Sequence, residues 1–358
     1  MRFLSNSDVS ALLGPGAVVD ALRAGYGEYR AGLGAQLPRA DLLTAAADDG
    51  FYRLGVMAGV SRTYDTAVVR IKSDVVKWTP RTEEKQAGRL GQYSGTVIAF
   101  RISDGVPMAI VQDGIVQHLR VAGAAALGTD LIAPDDVERV AVLGSGGMAS
   151  SIMDALEVVR STPSEVTVYS PNPAHRRAFA RSLVDRLDSE VAPVDSAESA
   201  VRGAELVISA TSSLEPTIQA GWLDMNTHVT AVSRREIGSD IRARADLLAC
   251  LGPGSYPADC MPGMEPTRGG YSAFLALTDS ERSHIPAPRA SDTPNEYPLM
   301  LHGPPWPERP RPYLSILTAV GTQGIQFAST IGALIRLAQE RDVGTEIPDE
   351  LFLHEVRS

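Results

Sequence analysis

The stretch Arg139-Val-Ala-Val-Leu-Gly-Ser-Gly-Gly-Met-Ala149 constrains the fold of this chain more than any other. An apolar run feeds a glycine-rich turn, and the turn opens a helical pattern over Met148–Arg160. The spacing Gly144-x-Gly146-x-x-Ala149 is a dinucleotide fingerprint with Ala in the third place. Gly144 permits the tight turn, Gly146 lets the backbone approach a pyrophosphate, and the small Ala149 allows close helix–strand packing. Ser145, Gly147 and Met148 complete a turn whose N–H groups and positive helix end hold phosphates. A Rossmann-like methyltransferase would use a similar turn and stands as the alternative.

The next strand, Val166–Tyr169, ends in Ser170-Pro171-Asn172. It lacks the Asp or Glu that ordinarily accepts a ribose 2′-OH, which also counts against a methyltransferase. Ser170, Asn172 and Arg176 are expected to surround a 2′-phosphate, which favours NADP over NAD, with Arg177 on a solvated helix face. Further buried strands follow at Leu206–Ser209, Thr227–Val232 and Leu247–Cys250, with a helix over Pro173–Leu187 between. That alternation means an α/β fold with a parallel sheet. Thr211 and Ser212 end a strand at the crevice and are expected to touch the cofactor.

Upstream the rhythm differs. Ser7 is read as the N-cap of a short helix that Gly14-Pro15-Gly16 ends, and a second helix carries Val18, Val19, Leu22 and Tyr26. From Pro38 to Gln112 the pattern is β-rich. Ala67–Val76 alternates so that Arg70, Lys72 and Asp74 share one strand face. Thr96–Ile102 and Val106–Gln112 are joined through Ser103-Asp104-Gly105 as a hairpin, and His118–Ile132 reads as an Ala-rich helix. Gly252–Pro312 is rich in Pro and Gly and reads as long loops with one helix near Tyr271–Thr278, before a last apolar helix over Gln323–Arg341. The expected organisation is an α+β substrate and dimerisation domain from residues 1–125 and 320–358, around a Rossmann domain over 126–319 that carries the 252–312 extension.

A length of 358 residues accommodates two cores. The net charge of −10, with no basic run, argues against nucleic acid or an anionic membrane as partner. No apolar stretch approaches the roughly 20 residues of a bilayer span. Met-Arg-Phe-Leu-Ser-Asn turns polar after four residues, so no signal peptide is expected and the location is read as cytoplasmic. Cys250 and Cys260 have no metal-like spacing and read as reduced thiols; no metal is expected.

Several motifs in order resemble the ornithine cyclodeaminase/μ-crystallin family. They are Pro38-Arg39, Met57, the strand with Lys72, Asp113-Gly114-(x)5-Arg120-(x)2-Gly123, Gly144-Ser-Gly146, and Ser209-Ala-Thr211-Ser212 with Pro216. The resemblance implies a homodimer whose N-terminal sheet domain receives the C-terminal helix. It also implies NAD(P)-dependent chemistry at the amine-bearing carbon of a small amino or imino acid. Arg39, Lys72 and Arg120 would hold the substrate carboxylate, and Lys72 would move a proton at the nitrogen. The residue matching Arg120 also faces cofactor phosphate.

The departures narrow this. Cyclising members carry an aspartate after the strand matching Thr227–Val232, whereas this chain runs into Ser233-Arg234-Arg235-Glu236, and Glu236 matches a different acidic position. Arg234 and Arg235 would suit a second carboxylate or carbonyl oxygen on the substrate, with surface charges as the alternative reading of both. Val121 replaces the usual Thr, and Gln326 the C-terminal Asp. The expected activity is an imine reductase or amino-acid dehydrogenase. A cyclodeaminase-like ammonia lyase and a non-catalytic, NADPH-binding crystallin-like protein are the alternatives.

Overall fold

The computed structural model describes residues 1–46, 50–78, 83–88, 91–252, 296–311 and 313–355. The chain begins with β1 (Arg2–Leu4), α1 (Asn6–Leu12) and α2 (Pro15–Arg30). Ser5, not Ser7, caps α1: its hydroxyl accepts the Asp8 N–H while the Asp8 carboxylate accepts the Ser5 N–H. The reason is spacing, because a capping box needs an acid three residues after the cap, and Ser7 is followed there by Ser10.

Long antiparallel strands come next: β2 (Ala35–Ala45), β3 (Phe51–Ser61), β4 (Thr66–Trp78), β5 (Glu83–Gln86), β6 (Ser94–Arg101) and β7 (Pro107–Gln112). Strand β3 buries every second residue from Phe51 to Ser61, so one face is a core face. The hairpin between β6 and β7 turns at Gly105, whose φ of +76° suits glycine. Helix α3 (Asp113–Ile132) begins five residues before the expected His118, and Asp113 lies in its first turn.

The second half builds a parallel sheet. Its strands are β8 (Arg139–Leu143), β9 (Glu165–Tyr169), β10 (Glu190–Pro193), β11 (Leu206–Ser209), β12 (His228–Ala231), β13 (Leu247–Cys250), β14 (Tyr297–Pro298) and β15 (Ser315–Thr318). They lie in the order β10-β9-β8-β11-β12-β15-β13-β14. Between them run α4 (Gly147–Val159), α5 (Pro173–Val184), α6 (Ala197–Val201), α7 (Ser239–Arg244) and α8 (Leu299–His302). This is a doubly wound α/β arrangement. Strand β15, which the sequence pattern did not reveal, sits between β12 and β13 as a fully buried rung of four residues. Four residues after a Pro-rich run are too few to show a period. The helix expected near Tyr271–Thr278 lies outside the described residues.

The chain then crosses back as α9 (Gln323–Glu340) and ends in β16 (Thr345–Glu346). Strand β16 pairs with β1, so the first sheet reads β16-β1-β7-β6-β4-β3-β2, with β5 beside β4. Helix α9 lies directly on β3 at a glycine–glycine crossing: a Cβ on Gly59 would collide with the Gly324 backbone. Helix α3 runs between the two sheets, packing on α2, α4, β6, β12 and β15, and it spans the 125/126 boundary. Its Thr129 hydroxyl is 2.6 Å from that of Thr230 on β12, which ties the helix to the parallel sheet. Among the described residues, no helix is long and apolar enough to cross a membrane.

Candidate active site

Strand β8 ends at Leu143, and Gly144 turns the chain with φ +112°. A side chain there would strike the Ala210 carbonyl at the end of the neighbouring β11. Gly146 is the N-cap of α4; it is exposed, and nothing lies within 4 Å of where a Cβ would be. No side chain caps this helix, so its first N–H groups are left for a ligand. Ser145 and Met148 are half-buried around the turn, and Gly147 is exposed. This cradle fits a pyrophosphate.

The strand ends beside the turn differ from expectation in detail. Asn172 caps α5, its Oδ1 accepting the N–H groups of Ala174 at 2.9 Å and His175 at 3.2 Å. Ser170 is buried, and its carbonyl accepts from Arg176 at 3.3 Å. Arg176 is also buried, ion-paired with Asp195 and lying over the Tyr169 ring. Its charge is matched within the chain by Asp195, a partner that the sequence pattern did not reveal. Arg177 is exposed, as expected.

Thr211 is held rather than loose. One Glu236 oxygen accepts its N–H at 2.8 Å, its hydroxyl at 2.7 Å and the Ser209 hydroxyl at 2.8 Å. The other oxygen accepts the Ser233 N–H at 2.9 Å. Burial pushes the Glu236 carboxyl up to about 7 against these four donors. Ser212 is exposed beside it.

The cationic residues converge on the buried face of the first sheet. Register places Asp41, Gly55, Lys72 and Gly95 in one cross-strand row over β2, β3, β4 and β6. The two glycines flanking Lys72 leave room that carboxylates occupy: a Cβ on Gly55 would lie 2.6 Å from Asp41 Oδ1, and one on Gly95 would overlap Asp113. Arg39 reaches Asp41 through Nε at 2.9 Å and Nη2 at 2.7 Å. Lys72 Nζ lies 2.5 Å from Asp74 Oδ2. Burial, then Arg53, Arg39 and Lys85, push the Lys72 ammonium down to about 6, and Asp74 pulls the other way. Arg70 pairs with Asp113 at the start of α3.

Arg120 enters the same region from α3. Its Nη1 donates to Gln326 at 2.7 Å and its Nη2 to Gln117 at 2.7 Å, and the guanidinium stacks 4.7 Å from the centre of the Phe327 ring. Its buried Nε has no hydrogen-bond partner among the described residues, the condition of a donor awaiting an acceptor. Burial and Arg70 push its pKa down to about 9. Two residues earlier on the helix, the His118 ring stands 3.1 Å from where a Gly147 Cβ would be.

Arg234 is not brought to this cluster. It pairs with Glu296 at 2.5 Å, and Glu296 also receives Arg242 at 3.1 Å and the Thr318 hydroxyl at 3.2 Å. Its guanidinium is thus matched by a carboxylate of the chain itself. Arg235 is half-buried, and its N–H donates to the Ser233 hydroxyl. The sequence reading missed Arg53, Lys85, Glu296 and the contact of His118 with the turn. Two signals were available: strand-interior glycines, and Asp74 alternating with Arg70 and Lys72 on one face.

The sequence profile of the ornithine cyclodeaminase/mu-crystallin family matches residues 2–252. A Delta(1)-pyrroline-2-carboxylate reductase of Paracoccus denitrificans is 29% identical over 158 residues, 43% of this chain and 50% of that protein. The chain thus spans half the length of that relative. The ketimine reductase mu-crystallin of Macropus fuliginosus is 24% identical over 233 residues, 64% of this chain and 70% of that one. The structure of Thermococcus litoralis Delta(1)-pyrroline-2-carboxylate reductase, in complex with NADH and L-proline, superposes with a TM-score of 0.70. It is 21% identical and covers 97% of this chain and 100% of its own, so it shares the fold.

Proposed function

This chain belongs to the ornithine cyclodeaminase/mu-crystallin family, and we propose that it is an NAD(P)H-dependent oxidoreductase that reduces the C=N bond of a small imino acid. The observation that carries this reading is the placement of α3. Its His118 lies against the glycine turn, and its Arg120 joins the buried cations two residues on. One helix thus links a phosphate cradle to a carboxylate-binding pocket. The names of the relatives, a pyrroline-carboxylate reductase and a ketimine reductase, support the same chemistry.

Gly144, Ser145, Gly146, Gly147 and Met148 would hold the cofactor diphosphate, with Thr211 and Ser212 along the crevice. Bound NAD(P)H supplies a hydride for the imine carbon. Arg39 and Arg120 neutralise the substrate carboxylate, and the unpartnered Nε of Arg120 gives it a further donor. Lys72 gives a proton to the imine nitrogen as the carbon takes the hydride.

Mixing NADPH or NADH with cyclic and acyclic imino acids tests the reading through the near-ultraviolet absorbance of the reduced cofactor. Stoichiometric loss with at least one imino acid is expected. Lys72→Met should abolish turnover while NAD(P)H still binds, as fluorescence titration would show. No loss with any imino acid, or full activity in the variant, overturns the proposal; ammonia release from ornithine without net cofactor change would indicate a cyclodeaminase.

The assembly is read as a homodimer. The outer face of the first sheet carries Val56, Val60, Val69, Ile98 and Phe100, all only half-buried in one chain. Sedimentation velocity should give a dimer, and Val60→Arg should shift it toward monomer.

A further inference from the structure

The environment of Lys72 contains more than a substrate carboxylate requires. Facing it are Asp74 and Arg70 from its own strand, Arg53 from β3, Arg39 and Asp41 from β2, Lys85 from β5, and Asp113 and Arg120 from α3. Most of these are already engaged: Arg39 with Asp41, Arg70 with Asp113, Arg120 with Gln326. Asp74 is placed differently. Its two oxygens divide between two lysines, Oδ2 lying 2.5 Å from Lys72 and Oδ1 3.6 Å from Lys85. Exposure rises sharply along this line. The Asp74 side chain is 3% exposed, Lys72 10% and Lys85 44%.

We infer that Asp74 and Lys85 are positioning residues for Lys72: Asp74 aligns the amine and retains a proton on it, and Lys85 limits that hold from the solvent side. The inference rests on the reading of Lys72 as the proton donor. A buried lysine with no carboxylate beside it would lose its proton outright. A lysine bound to an unopposed carboxylate would keep it. Donating to an imine nitrogen requires the state between, in which the ammonium N–H bond breaks as the imine nitrogen lone pair takes the proton. The hydride that bound NAD(P)H would supply forms the C–H bond, the C=N π pair becomes the lone pair of the product amine nitrogen, and Lys72 is left as a neutral amine to be reprotonated from water. Lys85 at Oδ1, and Arg53 lying 3.5 Å from Oδ2, weaken the grip of the carboxylate on Lys72. Burial pushes the Asp74 carboxyl up, but Lys72, Lys85 and Arg53 outweigh it and hold Asp74 below the usual carboxylate range, so it stays charged throughout.

The test measures the Lys72 amine directly in the full-length protein, by the pH dependence of competitive acetylation read by mass spectrometry, alongside the pH–rate profile of imine reduction. Asp74→Asn should lower the labelling midpoint of Lys72 by about one to three pH units, the effect of removing an opposite charge at this range. Lys85→Met should move it in the opposite direction, and less. The alkaline limb of the pH–rate profile, along which the proton donor is lost, should follow each shift. A Lys72 midpoint and a rate profile that both stay fixed in Asp74→Asn overturn the inference. Labelling needs no turnover, so an inactive wild-type protein or an active Lys72→Met variant would refute the proposed function and leave the midpoint shifts to be read separately. Unchanged circular dichroism and NAD(P)H binding in both variants separate positioning from loss of fold.

Discussion

One oxygen of Glu236 accepts both the backbone N–H and the hydroxyl of Thr211, fastening the end of β11 to the loop after β12. This oxygen also takes the Ser209 hydroxyl, and the carboxylate is fully buried. The crevice edge where a cofactor would lie is thus shaped by a residue that need not touch it.

Glu236→Gln should therefore destabilise the fold. The amide turns a donor toward one of the N–H groups now accepted by the carboxylate, and a buried donor without an acceptor costs about 1–3 kcal/mol. Urea unfolding at fixed pH measures this. The wild-type protein carries a pH signature as well. The folded carboxyl sits at about 7, above the 4.5 of a free glutamate, so the folded state binds the extra proton between them. The Glu236 contribution is full below pH 4.5 and is lost as pH rises through 7. Lys72 runs the other way, because its folded value of about 6 lies below 10.5, so its contribution is lost as pH falls toward 6. The difference between wild type and Glu236→Gln isolates the first slope, and a difference independent of pH would contradict it.

How much was legible in the sequence depended on whether a feature was local. The glycine turn was readable because Gly144, Gly146 and Ala149 meet their constraint within one turn of chain. Lys72 and its strand face were readable because alternation is local too. The pairing of Arg176 with Asp195 was not, because those residues are brought together only when β9 and β10 lie side by side. The same holds for Arg234 and Glu296, which lie 62 residues apart in the chain. Charged residues announce themselves in a sequence, but whether a charge is open to a ligand or matched within the chain is decided by tertiary contacts.

The two glycines of the turn should separate folding from binding. Gly144 has φ +112°, and a Cβ there meets the Ala210 carbonyl, so Gly144→Ala should cost on the order of 1–3 kcal/mol and lower the melting temperature. Gly146 has an ordinary φ of −93° with nothing within 4 Å of a Cβ. Gly146→Ala should keep the wild-type melting temperature, yet place a methyl group where the backbone approaches a phosphate. Its Kd for NAD(P)H should rise on the order of tenfold, ~1.4 kcal/mol. Equal melting losses in the two variants would mean that the turn is strained for some other reason.

Asp195 offers the sharpest test of cofactor choice. Its side chain is 95% exposed and packs against little, so Asp195→Ala should leave stability nearly unchanged. Its partner Arg176 remains oriented by the Ser170 carbonyl and the Tyr169 ring, at the end of the strand where a ribose 2′-substituent would lie. Losing the aspartate removes a negative charge that both matches the guanidinium and repels a 2′-phosphate. The affinity for NADPH relative to NADH should rise on the order of tenfold, read as the ratio of Kd values by fluorescence titration. Arg176→Ala should lower that ratio, and combining the two changes should abolish the gain from Asp195→Ala. If the ratio is unchanged in both single variants, Arg176 does not face the 2′ position, and the choice between NAD and NADP is made elsewhere in the crevice.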